Sequence, residues 1–239
     1  MLGTLLAASA AAFALAVLSA VAGFGGGVLL LPVFGALFGL RVAVPVLTLT
    51  QLSSNASRVW LNRRELRSSL VGWFAVGAVP CAVMGGLLLA HAPLGALKRL
   101  LGVFLIVTVV WRRLRPRVGR PSARAFAWVG AASGLGSALL GSVGPLTAPF
   151  FLAYGLTRAA YIGTEAAAAL TMHGAKLAGY GAGDLLTGRV LLLGAALTPA
   201  TLAGAWVGRR IVDRVSERTF VRLVEAGLLV AGSLLLIGL

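Results

Sequence analysis

Polar side chains able to bind a charged solute gather in two otherwise apolar stretches, 43–60 and 160–180. The first carries Thr48, Thr50, Gln51, Ser53, Ser54, Asn55 and Ser57. At helical spacing Thr48, Gln51 and Asn55 share one face, at i, i+3 and i+7. Hydroxyls and amides placed so can replace part of an anion's hydration shell. They can equally bond a neighbouring helix, for ~0.6–2 kcal/mol per hydrogen bond. The second stretch holds Thr164, Glu165, Thr171, His173 and Lys176. An ionisable group at the centre of a membrane helix costs ~2.5–3.5 kcal/mol on insertion scales, so each is a functional candidate. His173 and Lys176 share a face at i and i+3, with Thr171 nearby. Lysine can attract an anion, and a histidine titrating near neutrality can couple its movement to protons. The structural alternatives are snorkelling of Lys176 to the interface and pairing of Glu165 with Arg158. Arg58, just before a basic loop, reads first as a helix-end anchor.

Two glycine-rich breaks stand beside apolar segments too short to span a bilayer. Gly23-Phe24-Gly25-Gly26-Gly27 precedes 27–40, and Gly141-Ser142-Val143-Gly144-Pro145 precedes 145–156. A helix N-terminus exposes unpaired N–H groups and about half a positive charge. Glycine lets an anion approach that backbone without a Cβ in the way. The candidate binding residues are therefore Gly25, Gly26, Gly27, Gln51, Asn55, Ser142, Gly144, Thr164 and Thr171, with Glu165, His173 and Lys176 as charge or coupling groups. Close packing of small residues is the bland alternative for the glycines. An intramembrane hydrolase pairing Ser137 or Ser142 with His173 lacks any signature around either serine. A membrane scaffold would use the same polar residues for packing alone.

The elements that must position these residues are helices in a bilayer. Of 239 residues 59% are hydrophobic and 11% charged, against about a quarter charged in soluble domains. Apolar segments fall at 3–22, 27–40, 43–60, 69–90, 97–111, 125–141, 145–156, 160–180, 189–207 and 219–238. The first has no Lys or Arg before it and a counterpart at 125–141, so it reads as a retained helix rather than a secretory leader. The net charge of +15 comes from arginines between apolar spans. Retention of basic loops in the cytoplasm accounts for it without nucleic acid. A single Cys81 excludes an intrachain disulfide, no metal-ligand cluster is present, and no cofactor is implied.

The second half repeats the first at an offset near 117–123. Pro32 aligns with Pro149, Phe34 with Phe151, Arg41 with Arg158, Pro80 with Pro199, Gly85 with Gly204 and Arg99 with Arg222. Basic loops at 62–68, 112–124 and 208–218 have no basic equivalents in the opposite half beyond His91. If all three are cytoplasmic, each half crosses an odd net number of times, and the repeats are inverted with both termini outside. A hairpin plus three spans satisfies this parity in each half, and so do five spans; the preferred fold is an all-α polytopic membrane protein with two inverted repeats, each a Gly-broken helical hairpin plus three transmembrane helices. The first repeat takes 1–111, a basic cytoplasmic linker 112–124 and the second repeat 125–239.

In Gly25-Gly26-Gly27 followed by Pro32, its echo Gly144-Pro145 followed by Pro149, Gly163-Thr164, the turn Asn62-Arg63-Arg64-Glu65-Leu66-Arg67, and the pairs Gly85-Gly86 and Gly204…Gly208, the chain resembles the TauE/SafE sulfite-exporter-like permeases. It departs from that pattern at Ser142, Val143, Pro145 and Glu165. The resemblance implies two duplicated membrane modules, a non-enzymatic role, and transport of sulfite, a sulfonate or a related organosulfur anion. The expected setting is a bacterial-type inner membrane, with anionic lipid headgroups near the Arg-rich loops. A proton or sodium ion as coupling partner and assembly as a homodimer fit the same picture.

Overall fold

The computed structural model describes residues 2–22, 27–114, 119–211 and, in the last segment, 225–226, 228–230, 232–233 and 235–237. Every regular element among them is helical. They run α1 (Leu2–Ala22), α2 (Gly27–Phe38), α3 (Leu40–Asn62), α4 (Ser68–His91), α5 (Leu94–Leu114), α6 (Phe126–Leu140), α7 (Gly144–Ala153), α8 (Arg158–Ala182) and α9 (Gly188–Ile211), with helical residues again between 225 and 237. Three of these, at Ser68–His91, Leu94–Trp111 and Gly188–Gly208, are long and apolar enough to cross a bilayer by length and composition alone. At 23 and 25 residues, α3 and α8 are as long; their polar side chains set them apart, and Thr48, Thr50, Asn55, Thr164, His173 and Lys176 among them are buried. The protein is an α-helical membrane protein.

The expected segments appear with ends displaced by a few residues. The segment at 43–60 begins earlier, at Leu40, because Gly39 at φ 80° forms a tight corner after α2 and Pro45 is accommodated inside the helix. Gly155 at φ 85° likewise turns the chain after α7, and the Thr157 hydroxyl accepts from Ala160 N–H to start α8. Such φ values favour a residue without Cβ.

Helices meet through glycine seams. A Cβ at Gly134 would stand 2.5 Å from Ala78 O, and one at Gly179 2.5 Å from Val83 O. Gly77 against Ala127 O and Gly130 against Phe74 O are closer still. Backbones therefore touch, and α4 is clamped between α6 and α8. Elsewhere α9 lies on α1, where Gly204 faces Phe13 O and Ala16 Cβ. The aligned glycine in α4, Gly85, faces Leu135 O and Ala138 Cβ of α6. Thus α1 packs on α9 as α6 packs on α4. Two further pairs are antiparallel: α3 against α8, with Asn62 at Gly163 and Arg58 at Glu165, and α5 against the last segment, with Gly102 at Gly232 and Arg113 at Glu225.

The hairpin α6–α7 enters and leaves on one face. Phe126 opens α6 and Tyr154 follows α7, and their ring centroids lie 5.7 Å apart. Arg120 stands 5.6 Å from the Tyr154 ring, and Arg124 stands 6.0 Å from Trp73 at the start of α4. Thr157 Oγ1 donates to Glu65 at 3.1 Å, tying the start of α8 to the same face. This basic face carries interfacial aromatics: Arg63 lies 4.2 Å from the Trp60 ring and Arg210 3.8 Å from that of Trp206. At the opposite face Arg41 Nη2 donates to Ala92 O at 2.9 Å, closing the end of α4.

Candidate functional site

Inside the bundle, α3, α4, α6, α7 and α8 enclose a small polar cavity of about 40 Å³. From α3 it receives Gln51, Asn55 and Arg58, at i, i+4 and i+7, and from α8 Glu165, Met172 and His173. Ser133 and Ser137 line it from α6, and Ser142, Gly144 and Thr147 from the break and α7. Phe74, Phe151 and Met172 supply apolar wall. Helix periodicity explains the grouping: α3 and α8 are antiparallel neighbours, so the polar stripe of each falls on the same interior line.

The two ends of the cavity differ. At the end nearer the basic face, Arg58 Nη2 meets Glu165 Oε2 at 2.6 Å, and Arg58 Nη1 donates to Asn55 Oδ1 at 3.2 Å. Asn55 is held in turn by its Nδ2 donating to Gln51 O at 3.0 Å. Further in, two polar groups have no partner: Gln51 Nε2 and His173 Nδ1 are buried with nothing to bond. His173 is only 2% exposed. Buried polar atoms are satisfied in the great majority of cases, so two orphans on one cavity mark a place for a solute or water. A cavity of this size holds a few waters or a compact ion.

Lys176 stands behind this wall, fully buried. Its Nζ donates to Ser137 Oγ and to Gly141 O, each at 3.0 Å, and Ser137 Oγ donates to the same carbonyl at 3.2 Å. Gly141 closes α6 at φ 74°, where the chain turns into the break. The lysine therefore fastens the break to α8 instead of snorkelling, and its described partners are both neutral. A Cβ at Gly141 would lie 2.9 Å from Leu47 and 3.3 Å from Leu31. Leu31 sits four residues, about 6 Å, beyond the start of α2, so the second break abuts the short helix that follows the first. No side chain caps the N-terminus of α7.

Of the residues singled out from sequence, Gln51, Asn55, Ser142, Gly144, Glu165 and His173 meet at this cavity. Thr164 and Thr171 do not line it. Thr164 Oγ1 accepts from Arg67 N–H at 3.0 Å and anchors the start of α4, while Thr171 Oγ1 donates to Ala167 O of its own helix. Gly27 opens α2, whereas Gly25 and Gly26 lie outside the described residues. Glu165 takes Arg58 as its ion-pair partner; the Arg158 side chain is outside the described set. Sequence reasoning set Arg58 aside as an anchor, although it continues the Gln51–Asn55 stripe by one further step, and that step was the available signal. Thr147 and Ser133 gave none, since a lone hydroxyl in an apolar helix is common.

The hydrolase alternative finds no geometry here. Among the described residues no serine bonds to His173, and Ser137 is committed to Lys176 and Gly141. A larger void of about 510 Å³ between α5, α6 and α7 shares the wall of Ser133, Val143 and Thr147, but its lining is almost wholly apolar and carries no charge. Among the described residues its one unpartnered buried polar atom is Trp111 Nε1, whereas the smaller space holds the Arg58–Glu165 pair together with Gln51 Nε2 and His173 Nδ1.

Among curated proteins and solved structures, none matches the chain. A profile of the family described as sulfite exporter TauE/SafE matches residues 8–235, which takes in α2 to α9 whole and with them every residue of the cavity. That family is one of membrane transporters. With breaks, basic turn and glycine pairs all inside the matched span, the chain belongs to the sulfite exporter TauE/SafE family.

Proposed function

We propose that the protein is a secondary transporter that carries a small anion, sulfite or a sulfonate or a related organosulfur anion, through the cavity between α3 and α8. The observation that carries this reading is the meeting of the Arg58 cation with two unpartnered buried polar groups, Gln51 Nε2 and His173 Nδ1, in a cavity of ionic size. Arg58 supplies charge, and a guanidinium presents several N–H donors in the planar array that suits oxyanions. Gln51 and Ser142 supply neutral donors, and Lys176 holds the break that forms one wall. The chemistry asked of the protein is binding and release, so it is not read as an enzyme.

Movement is by alternating access of two inverted repeats, 1–111 and 125–239, joined by the basic linker 112–124. Packing of α1 on α9 and of α6 on α4, and antiparallel pairing of α3 with α8 and α5 with the last segment, support a two-fold axis in the membrane plane. The face bearing Arg63, Arg120, Arg124 and Arg210 is cytoplasmic and touches anionic headgroups. Both termini then lie outside a bacterial-type inner membrane.

The test is flux. Full-length protein in liposomes is given a gradient of 35S-sulfite, and separately of methanesulfonate, sulfoacetate and acetate. Wild type is expected to carry at least one sulfur anion, and Arg58→Gln to reduce that flux at least tenfold while retaining wild-type elution on size exclusion. Absence of flux for every anion under any imposed gradient, from folded wild type, refutes the reading.

A further inference from the structure

The ion pair in the cavity raises a question of charge. Arg58 and Glu165 both line the space, their side chains 22% and 18% exposed, and they neutralise each other at 2.6 Å. A solute anion cannot simply be added. The site would then hold one cation and two anions in a medium that penalises any unpaired charge. Either the anion stays out, or the carboxylate gives up its place.

We propose that Glu165 is a tethered stand-in for the transported anion: it occupies the guanidinium of Arg58 while the site is empty, and takes up one proton when the substrate displaces it. This inference rests on the anion-transport reading above. The charges balance. Before binding, Arg58⁺ and Glu165⁻ sum to zero; afterwards Arg58⁺, a monovalent anion and a neutral Glu165 acid also sum to zero. The proton is delivered by a hydronium ion from the bulk solution: one of its O–H bonds breaks, an O–H bond forms to the freed carboxylate oxygen, and neutral water is left behind. Each monovalent anion therefore travels with one proton, and the step is electroneutral.

The neighbours of Glu165 leave this role to it. From α3 it faces Arg58, whose other arm is committed to Asn55. On its own helix, Tyr161 lies one turn earlier within electrostatic reach of both charges, and His173 and Lys176 lie two to three turns further on. In the 63–67 turn, Glu65 is engaged by the Thr157 hydroxyl, and Arg67 contacts α8 through its backbone N–H. The cavity walls from α4, α6 and α7 add only Phe74, serines, Thr147 and apolar groups. No second cation among the described ion pairs competes for this carboxylate.

The experiment measures methanesulfonate affinity against pH for the full-length detergent-purified protein, alongside proton uptake in weakly buffered solution, with bisulfite as a second probe at one acidic pH where it stays monovalent. For wild type the apparent affinity is expected to fall about tenfold per pH unit over the range where Glu165 is ionised, with one proton taken up per anion bound. Glu165→Gln should bind at least tenfold tighter at the alkaline end, with a flat profile and no proton uptake; Glu165→Asp should keep the slope. If Glu165→Gln does not fold, the wild-type proton count decides alone. Binding by wild type with a flat profile and no proton uptake overturns this inference and leaves the transport reading standing. Failure of wild type to bind or carry either probe at any pH overturns both.

Discussion

The paired glycines Gly85 and Gly204 offer a direct test of how the halves interlock. Replacing either by alanine adds a methyl to a helix–helix seam. At Gly85 that methyl would stand 2.8 Å from Ala138 Cβ and 3.1 Å from Leu135 O, and at Gly204 it would stand 2.9 Å from Ala16 Cβ and nearer still to Phe13 O. Carbon atoms in contact prefer about 3.5–4.0 Å, so each seam must open by roughly 1 Å. Overpacking of this kind costs about 1–3 kcal/mol. Gly72 in α4 and Gly174 in α8 have nothing within 4 Å of a built Cβ, so alanine there gains only the helical preference, about 0.5–1 kcal/mol. For a chain of this length 1 kcal/mol moves the midpoint by roughly 2–4 °C. Gly85→Ala and Gly204→Ala should therefore melt about 2–12 °C below Gly72→Ala and Gly174→Ala. The lone Cys81 is partly buried in α4, so a thiol-reactive dye added during heating reports unfolding. Equal midpoints for seam and control variants, or a loss at only one of the two seams, would refute the packing of the two seams described above.

Other substitutions give separate readings. Lys176→Met removes two charge-assisted bonds at the break, and each such bond is worth about 1.5–3 kcal/mol; anion flux should fall more than the midpoint does, and unchanged flux would show that the break does not shape the cavity. Gly141→Ala and Gly155→Ala both force a side chain to positive φ, which costs ~1–2 kcal/mol, but only the former also meets Leu47 and Leu31; a thermal scan should rank Gly141→Ala as clearly worse. Glu225→Gln breaks a pair between an arginine 63% exposed and a carboxylate only 9% exposed; the arginine keeps its hydration and the amide oxygen can still accept from it, so the loss should stay within about 1 kcal/mol, roughly 2–4 °C in the midpoint. Reporter fusions active only outside the cytoplasm should be active at both termini; activity at one terminus alone would contradict inverted repeats.

Residue patterns carried the elements further than the site. Glycine breaks next to short apolar segments foretold α2 and α7, because a chain cannot continue an α-helix through Gly141 at φ 74°. The polar stripe foretold Gln51 and Asn55, since helical periodicity is local information. Arg58 was legible in position but not in role: its meaning depends on Glu165, more than a hundred residues away, and ion pairing across helices leaves no trace in spacing. The partners of Lys176 were illegible for the same reason. Sequence shows a cation near a helix end, while only the packed bundle brings Ser137 and the Gly141 carbonyl to it. Thr164 shows the opposite error: a hydroxyl in a promising place is spent on the Arg67 N–H.

The α1–α9 seam bears on how the chain is made. Helix α1 leaves the ribosome first, yet the surface that Gly204 and its neighbours provide for it belongs to α9, which emerges near the end of synthesis. Helix α1 must therefore wait in the bilayer with its seam uncovered, whereas α6 meets a completed α4 as soon as it inserts. The α4–α6 seam thus closes early in synthesis and the α1–α9 seam late. A gene cut within the linker should give two fragments that need each other, because each holds a groove that only the other can fill.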